Sequence, residues 1–159
     1  MDNKFSGCEI VEMAVQIEKN GKDFYTVLSD ITNSPDVGGI FDYLAGAEEK
    51  HMEIFRGIFD GACGYEPAEA YPGEYFAYIK ALAGQYVFTV KDKGKELGKS
   101  VKSLEEGIEL AIGFEKDSIL FYEEVKKNVP KGSEGMVEGI ITEEKAHLRQ
   151  LLGLVKRAE

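Results

Sequence analysis

Residues 48–51 read Glu-Glu-Lys-His and residues 144–147 read Glu-Lys-Ala-His, so the sequence carries the pattern Glu-x-x-His twice. His51 and His147 are the only two histidines among its 159 residues. Residues three apart lie on one face of a helix, so each pair can direct a carboxylate oxygen and an imidazole nitrogen at one metal ion. The value of this pattern depends on whether the two pairs face the inside of the fold.

Apolar residues recur at alternating steps of three and four in four long segments, which predicts four amphipathic helices. We predict these helices over residues 6–31, 35–60, 104–128 and 133–157. Ser34 and Pro35 suit the start of the second helix, and Ser103 with Glu106 forms a capping box at the start of the third. The links within the first and last pairs are short, so each pair should form an antiparallel hairpin.

Residues 62–102 separate the two hairpins and should form a long crossover between them. We expect one short helix in this crossover, near residues 73–84, and we assign no structure to its lysine-rich run KDKGKELGKS. Residues 87–90, Val-Phe-Thr-Val, have the composition of a strand but are too few for a strand to be assigned. The prediction is therefore a single all-α domain over residues 1–159.

The two predicted hairpins resemble each other in sequence. An apolar residue followed by Glu-Lys, and then by Phe-Tyr, occurs within residues 17–25 and again within residues 114–122, at an offset of 97. The two Glu-x-x-His segments recur at an offset of 96. We interpret the chain as two copies of one helical hairpin.

Six polar residues fall where the helical pattern faces inward. Both Glu-x-x-His pairs occupy positions of the apolar stripe, and one further glutamate in each hairpin lies one step beside its stripe. Buried carboxylates are unfavourable by several kcal/mol each unless they have partners, and metal cations are natural partners. Such a set suits two metal ions with bridging and terminal carboxylates. The candidate ligands are Glu18, Glu48, His51, Glu115, Glu144 and His147.

Residues close to these candidates have weaker signals. Tyr25 and Tyr122 each follow a candidate glutamate by two helical turns, so each could be a core tyrosine with a hydrogen-bond partner or could support the metal site. Glu49 and Glu143 adjoin candidate ligands in sequence but point to another side of the helix. We expect both of these glutamates to be solvated.

Charge and composition exclude several classes of protein. A net charge of −10 argues against a nucleic-acid partner. The sequence has no apolar run long enough to span a membrane, and its first residues do not read as a signal peptide, so a cytoplasmic location is the default expectation. Cys8 and Cys63 belong to no Cys-x-x-Cys motif, and we expect them to be small buried side chains rather than a disulfide.

At these residues the chain resembles the ferritin-like superfamily, and within it the rubrerythrin-like proteins. The segments that carry the resemblance are IEKNGKDFY, EEKHMEIF, FEKDSILFY and EEKAHL. The resemblance implies a ferritin-like four-helix bundle with a non-haem di-iron centre, held by the six candidate ligands with Glu48 and Glu144 bridging. It also implies a homodimer in which ferrous iron gives electrons to hydrogen peroxide. Ligand types alone do not choose among iron, manganese and zinc.

The chain departs from typical rubrerythrins in two ways. It has no rubredoxin domain with four cysteines, so electrons would come from a separate carrier such as a rubredoxin. Rubrerythrins also carry a further carboxylate one turn from the third-helix ligand, whereas the positions a turn either side of Glu115 are Ile112 and Ser118. The remaining set of four glutamates and two histidines is closer to the site of bacterioferritin.

Four functions are compatible with these residues. The first is an oxidoreductase that oxidises two bound ferrous ions with hydrogen peroxide or dioxygen and is reduced again by an external donor. The second is an iron-binding or storage protein of the ferritin ferroxidase type, without further turnover. A hydroxylase or desaturase of an organic substrate is the third, and a structural zinc or manganese site is the fourth.

Overall fold

The regular elements are all helices in the computed structural model, which describes residues 7–63, 77–79, 81–82 and 87–158. No strand occurs within these ranges, and the all-α prediction is confirmed. Among the described residues, the helices that can be traced over more than one turn are α1 (Gly7–Ile31), α2 (Pro35–Cys63), α3 (Lys93–Ser100), α4 (Leu104–Lys127) and α5 (Glu134–Ala158). None of these helices combines the length and the apolar character needed to cross a membrane.

The four long helices form a bundle of two antiparallel hairpins. Helix α1 packs along α2, and α4 packs along α5. The hairpins meet where α1 contacts α4 and where α2 contacts α5. The apolar stripes of the four helices fill the space between them, and fully buried side chains such as Leu28, Phe41, Phe55 and Ile140 form the core. The stripes therefore fix which face of each helix points into the bundle.

The start of α4 has the Ser103 cap expected from its sequence, while the Glu106 side chain bonds one residue earlier than in a regular capping box. The Ser103 hydroxyl oxygen accepts a hydrogen bond from the Glu106 backbone N–H at 3.1 Å, and the Lys102 N–H donates to a Glu106 carboxylate oxygen at 2.7 Å. The helix ends at Lys127, three residues before Pro130, which cannot continue a helical hydrogen-bond pattern. These local signals set the register in which α4 presents its inner face.

The crossover differs from the prediction. Its lysine-rich run forms α3, which packs on α1 with Gly94 and Gly98 buried against that helix. Because the buried face of α3 is made of two glycines, it shows no apolar periodicity that sequence reasoning could detect. Residues Val87–Thr89 form a turn of 3₁₀ helix. Of the short helix predicted near 73–84, residues 77–79 and 81–82 are helical, and the others lie outside the described residues.

The expectation that Cys8 and Cys63 are unpaired is wrong. The two residues are joined by a disulfide, across a sequence separation of 55. Cys8 lies in the first turn of α1 and Cys63 ends α2. The antiparallel pairing of the two helices places these turns side by side, which their distant positions in the sequence conceal.

Candidate metal centre

The six candidate ligands meet in the middle of the bundle, where each is at most 5% exposed. Two groups of four can be drawn from the described residues such that one ligand atom of each member lies within 4.8 Å of those of the other three. The first group is Glu18, Glu48, His51 and Glu144, and the second is Glu48, Glu115, Glu144 and His147. Only Glu48 and Glu144 belong to both groups, and the sequence resemblance gives the same two residues the bridging role.

Both hairpins contribute to both groups. Helices α1 and α4 each supply one glutamate, while α2 and α5 each supply a Glu-x-x-His pair. The Glu and His of each pair are one helical turn apart and so face the centre together. Because Glu144 joins the group around His51, and Glu48 joins the group around His147, neither group is complete within one hairpin.

Each histidine turns its Nδ1 atom toward the carboxylates. His51 Nδ1 lies 2.7 Å from Glu144 Oε1 and 3.5 Å from Glu18 Oε2. His147 Nδ1 lies 3.3 Å from Glu144 Oε2 and 3.9 Å from Glu115 Oε2. The two imidazole rings stack at a centroid distance of 5.8 Å. The Nδ1 atoms are thus the ones that could coordinate metal, and the Nε2 atoms point away from the centre.

Several buried donor atoms of the cluster make no hydrogen bond with any described residue. These atoms include both carboxylate oxygens of Glu18, one oxygen each of Glu115 and Glu144, and His51 Nδ1. The 2.7 Å approach of His51 Nδ1 to Glu144 does not have hydrogen-bond geometry, although the atoms are close. Buried polar atoms are normally satisfied. Oxygen and imidazole donors gathered in this way suit divalent cations of the iron, manganese or zinc type.

The pKa values of the buried glutamates show which carboxyl groups keep a proton when no cation is bound. Burial, followed by the negative charge of Glu48, raises the pKa of Glu18 well above its ordinary value. Burial and the charge of Glu144 raise the pKa of Glu115 in the same way. Burial opposes ionisation of Glu144, but its close contacts with Glu115, His147 and His51 lower the pKa of this carboxyl overall. Protons on some ligands therefore compensate part of the crowded negative charge.

The surroundings of His51 favour its positively charged form. Burial works against its protonated form, yet its contacts with Glu144, Glu18 and Glu48 raise its pKa far above the usual value for histidine. An imidazolium among these carboxylates supplies a positive charge at the place where a metal ion would supply more. The cluster of carboxylates therefore favours the binding of cations.

The expectation for Glu143 is wrong in one respect. Its side chain is 60% exposed, as expected, but its Oε2 accepts a hydrogen bond from His51 Nε2 at 2.8 Å. This bond orients the ring so that Nδ1 faces the carboxylates. Glu49 is half exposed and pairs with Lys22 at 2.8 Å, so it is solvated as predicted. The contact of Glu143 is made across the hairpins, and helix spacing alone does not reveal it.

The two tyrosines contact the centre across the hairpins as well. The Tyr25 hydroxyl of α1 donates to Glu115 Oε1 of α4 at 2.5 Å, although in sequence Tyr25 belongs with Glu18. The Tyr122 hydroxyl is buried and makes no hydrogen bond with a described residue. Burial, then the charge of Glu18, raises the pKa of Tyr122 well above its ordinary value. Each tyrosine thus lies beside the glutamate of the opposite hairpin.

Gly21 leaves space for one bridging candidate. A β-carbon at this position would lie 3.3 Å from both Cγ and Cδ of Glu48. That distance is tighter than ordinary van der Waals contact, so any larger residue would press on the Glu48 side chain. The glycine within α1 is explained by the room that this carboxylate occupies.

Two overlapping groups of carboxylate and imidazole ligands inside a four-helix bundle define the class of ferritin-like carboxylate proteins with a di-metal centre. The sequence matches the rubrerythrin family model over residues 9–155, and the chain belongs to the rubrerythrin family. It is similar to the crystal structure of a candidate ferritin-like diiron-carboxylate protein from Thermotoga maritima, with 28% identity, a TM-score of 0.71 and 98% of each chain covered. No curated protein matches the sequence significantly.

Proposed function

We propose that the protein is a non-haem di-iron oxidoreductase. In this proposal two ferrous ions are oxidised by hydrogen peroxide or dioxygen, and a separate carrier such as a rubredoxin reduces them again. The ligands would be Glu18, Glu48, His51, Glu115, Glu144 and His147, with Glu48 and Glu144 shared between the ions. The observation that carries the proposal is the pair of buried four-residue groups with these two glutamates in common.

Two ferrous ions held by these residues would supply, one from each ion, the two electrons that with two protons convert hydrogen peroxide to two molecules of water. The protein contributes a site that is closed to bulk water, since each of the six residues is at most 5% exposed. The Tyr25 hydroxyl donates its proton in a hydrogen bond to Glu115 Oε1. Burial, followed by the charge of Glu115, raises the pKa of Tyr25 further above neutral, so the hydroxyl keeps this proton. Tyr25 is our candidate for the group that holds a proton next to the oxidant.

The direct test is stopped-flow mixing of the ferrous protein with hydrogen peroxide under anaerobic conditions. We expect oxidation of two equivalents of iron, faster than that of free ferrous iron, followed by reduction on addition of reduced rubredoxin. The double variant E48A/E144A is the control, because it lacks both shared ligands. Oxidation no faster than that of free iron would refute the proposal, and oxidation without reduction by any protein donor would favour iron storage.

A further inference from the structure

A small chamber lies against one side of the candidate metal centre. Its polar wall contains Glu48, Glu115, Tyr25 and Ser118. Gly21 also lines it, next to Glu48. The chamber therefore touches one carboxylate that is shared by both ligand groups and one that belongs to a single group. An oxidant that reached either metal position from this side would stand beside the Tyr25 hydroxyl.

The size of the chamber limits what can enter it. The space open to the centre of a water-sized sphere is about 10 Å³. A cavity needs roughly this much room to hold one water molecule. Hydrogen peroxide and dioxygen are only slightly larger than water, whereas an alkyl or aryl substrate is several times larger. Ser118 adds to the available room, because a carboxylate side chain at that position would occupy it.

The crossover supplies one apolar wall of the chamber through Phe88. This side chain is 4% exposed, and its ring stacks on Phe114 of α4 with the centroids 3.5 Å apart. Phe24 meets both rings edge-on, at 5.8 Å and 5.1 Å. The aromatic cluster thus joins the crossover to both hairpins directly beside the ligands.

Asn20 holds the backbone at Phe88 and in the residues that follow it. Its side-chain amide donates to Phe88 O at 2.5 Å and to Val90 O at 2.7 Å, and its carbonyl oxygen accepts from Gly94 N–H at 3.0 Å. The residue is fully buried, and both of its amide hydrogens and its oxygen have partners. A β-carbon at Gly94 would overlap the Asn20 backbone oxygen, so this glycine permits the close approach.

We infer that Asn20 and Phe88 together set the size of an oxidant subsite at this chamber. Asn20 is a positioning residue that fixes the crossover on α1, and Phe88 is the wall that excludes molecules with alkyl or aryl groups. The inference rests on the proposed function and adds its substrate class: small inorganic oxidants are accepted, and organic hydroperoxides and hydrocarbon substrates are rejected.

The first test measures access without redox chemistry. The protein is loaded with cobalt(II), and the visible spectrum is followed during titration with azide and with benzoate. We expect the native protein to bind azide and to bind benzoate at least about tenfold more weakly. F88A should raise benzoate affinity at least about tenfold with little change for azide, and F88L provides a milder change if F88A is poorly folded.

The control for Asn20 is Asn128, which is equally buried. Asn128 lies at the C-terminal end of α4 and donates to the Glu124 carbonyl oxygen at 2.8 Å. N20A should raise the ratio of benzoate affinity to azide affinity, as F88A does, whereas N128A should leave this ratio unchanged. Hydrogen exchange at the Gly94 amide should accelerate in N20A alone, because that amide loses its acceptor.

The second test compares oxidation of the ferrous protein by hydrogen peroxide and by cumene hydroperoxide. The native protein should be oxidised faster by hydrogen peroxide than by cumene hydroperoxide. F88A should reduce the ratio of these two oxidation rates at least about tenfold. Benzoate binding as tight as azide binding in the native protein, or a ratio unchanged in F88A and F88L, would overturn the inference. Size selectivity in the cobalt protein without any oxidation of the ferrous protein would support the chamber and refute the proposed function instead.

Discussion

His51 Nε2 donates to Glu143 Oε2 at 2.8 Å, and the first hairpin has no counterpart of this bond. The residue that corresponds to Glu143 in the first hairpin is Ala47, which directly precedes Glu48. His147 Nε2 accordingly makes no hydrogen bond within the part of the chain that the structure describes. The two ligand groups thus share Glu48 and Glu144 but differ in the support given to their histidines.

Removing this support should affect one metal position more than the other. We expect E143A to weaken binding at the position of His51 by about 10- to 100-fold, because a carboxylate that orients a ligand histidine contributes that much to affinity. Titration of the metal-free protein with a competing chelator would resolve the two binding steps. E49A is the matched control, since Glu49 adjoins a ligand but pairs with Lys22. Equal weakening of both steps in E143A would contradict the inequivalence.

Replacing Ala47 with glutamate tests the same relationship in the opposite direction. The new carboxylate would occupy the position that Glu143 has in the second hairpin, and we expect tighter binding at the position of His147. Ala47 is 6% exposed, so thermal unfolding of the metal-free variant is needed to check that the larger side chain is accommodated. Unchanged affinity in a folded variant would show that the two hairpins differ by more than this residue.

The double variant E48A/E144A should lose metal binding without unfolding. Both residues belong to both ligand groups, so the change removes half of each group. The metal-free fold should persist because the substitution removes buried charge. Elemental analysis measures the bound metal, and circular dichroism measures helix content. Two equivalents of metal in this variant would show that the ligand assignment is wrong.

Metal binding should release protons. Burial and neighbouring charges raise the pKa values of Glu18 and Glu115, so these carboxyls keep their protons at pH values where ordinary glutamates are ionised. Ligands must lose protons to coordinate a metal, so affinity should increase as the pH rises. Calorimetry in buffers of different ionisation enthalpy gives the number of protons released. That number should fall in E18Q, whose amide carries no carboxyl proton, and an affinity independent of pH would contradict the prediction.

Reduction of the Cys8–Cys63 disulfide should destabilise the fold but leave the metal site intact. A disulfide that closes a loop of this length stabilises a protein by about 2–4 kcal/mol. The bond lies about 15 Å along α1 from Glu18, estimated from the rise of a helix. Denaturant unfolding with and without a thiol reductant measures the difference, and C8S/C63S should be insensitive to the reductant. Lost metal affinity in the reduced protein would link the disulfide to the site.

Much of this architecture follows from spacing along single helices. The two Glu-x-x-His pairs stand out because they occupy places where the pattern demands apolar residues, and Glu18 and Glu115 lie one step beside their stripes. Helix periodicity predicts which face of a helix is buried, so it also predicts that the polar residues on the buried faces of the four helices meet one another in the core. The all-α bundle and the convergence of the six candidate residues could therefore be predicted.

Contacts between different helices could not be predicted in this way. Glu143 lies on an exposed face of its own helix, and only the approach of α2 makes it a partner of His51. Helix α3 buries glycines, so it has no apolar signal, and its contact with Asn20 depends on how the crossover folds back on α1. The Cys8–Cys63 bond likewise depends on which helix ends are adjacent. Each of these features is set by packing between elements that are distant in sequence.

The distribution of Glu48 and Glu144 between hairpins has a consequence for how such a chain can diverge. A lone hairpin holds three residues of one ligand group and one residue of the other, so a single hairpin of this kind could complete the site only by pairing with an identical copy. Identical copies must carry the same residue at equivalent positions, which forbids a glutamate beside one histidine and an alanine beside the other. Two copies in one chain are free of that symmetry requirement, and the difference between Ala47 and Glu143 is one that identical copies could not have.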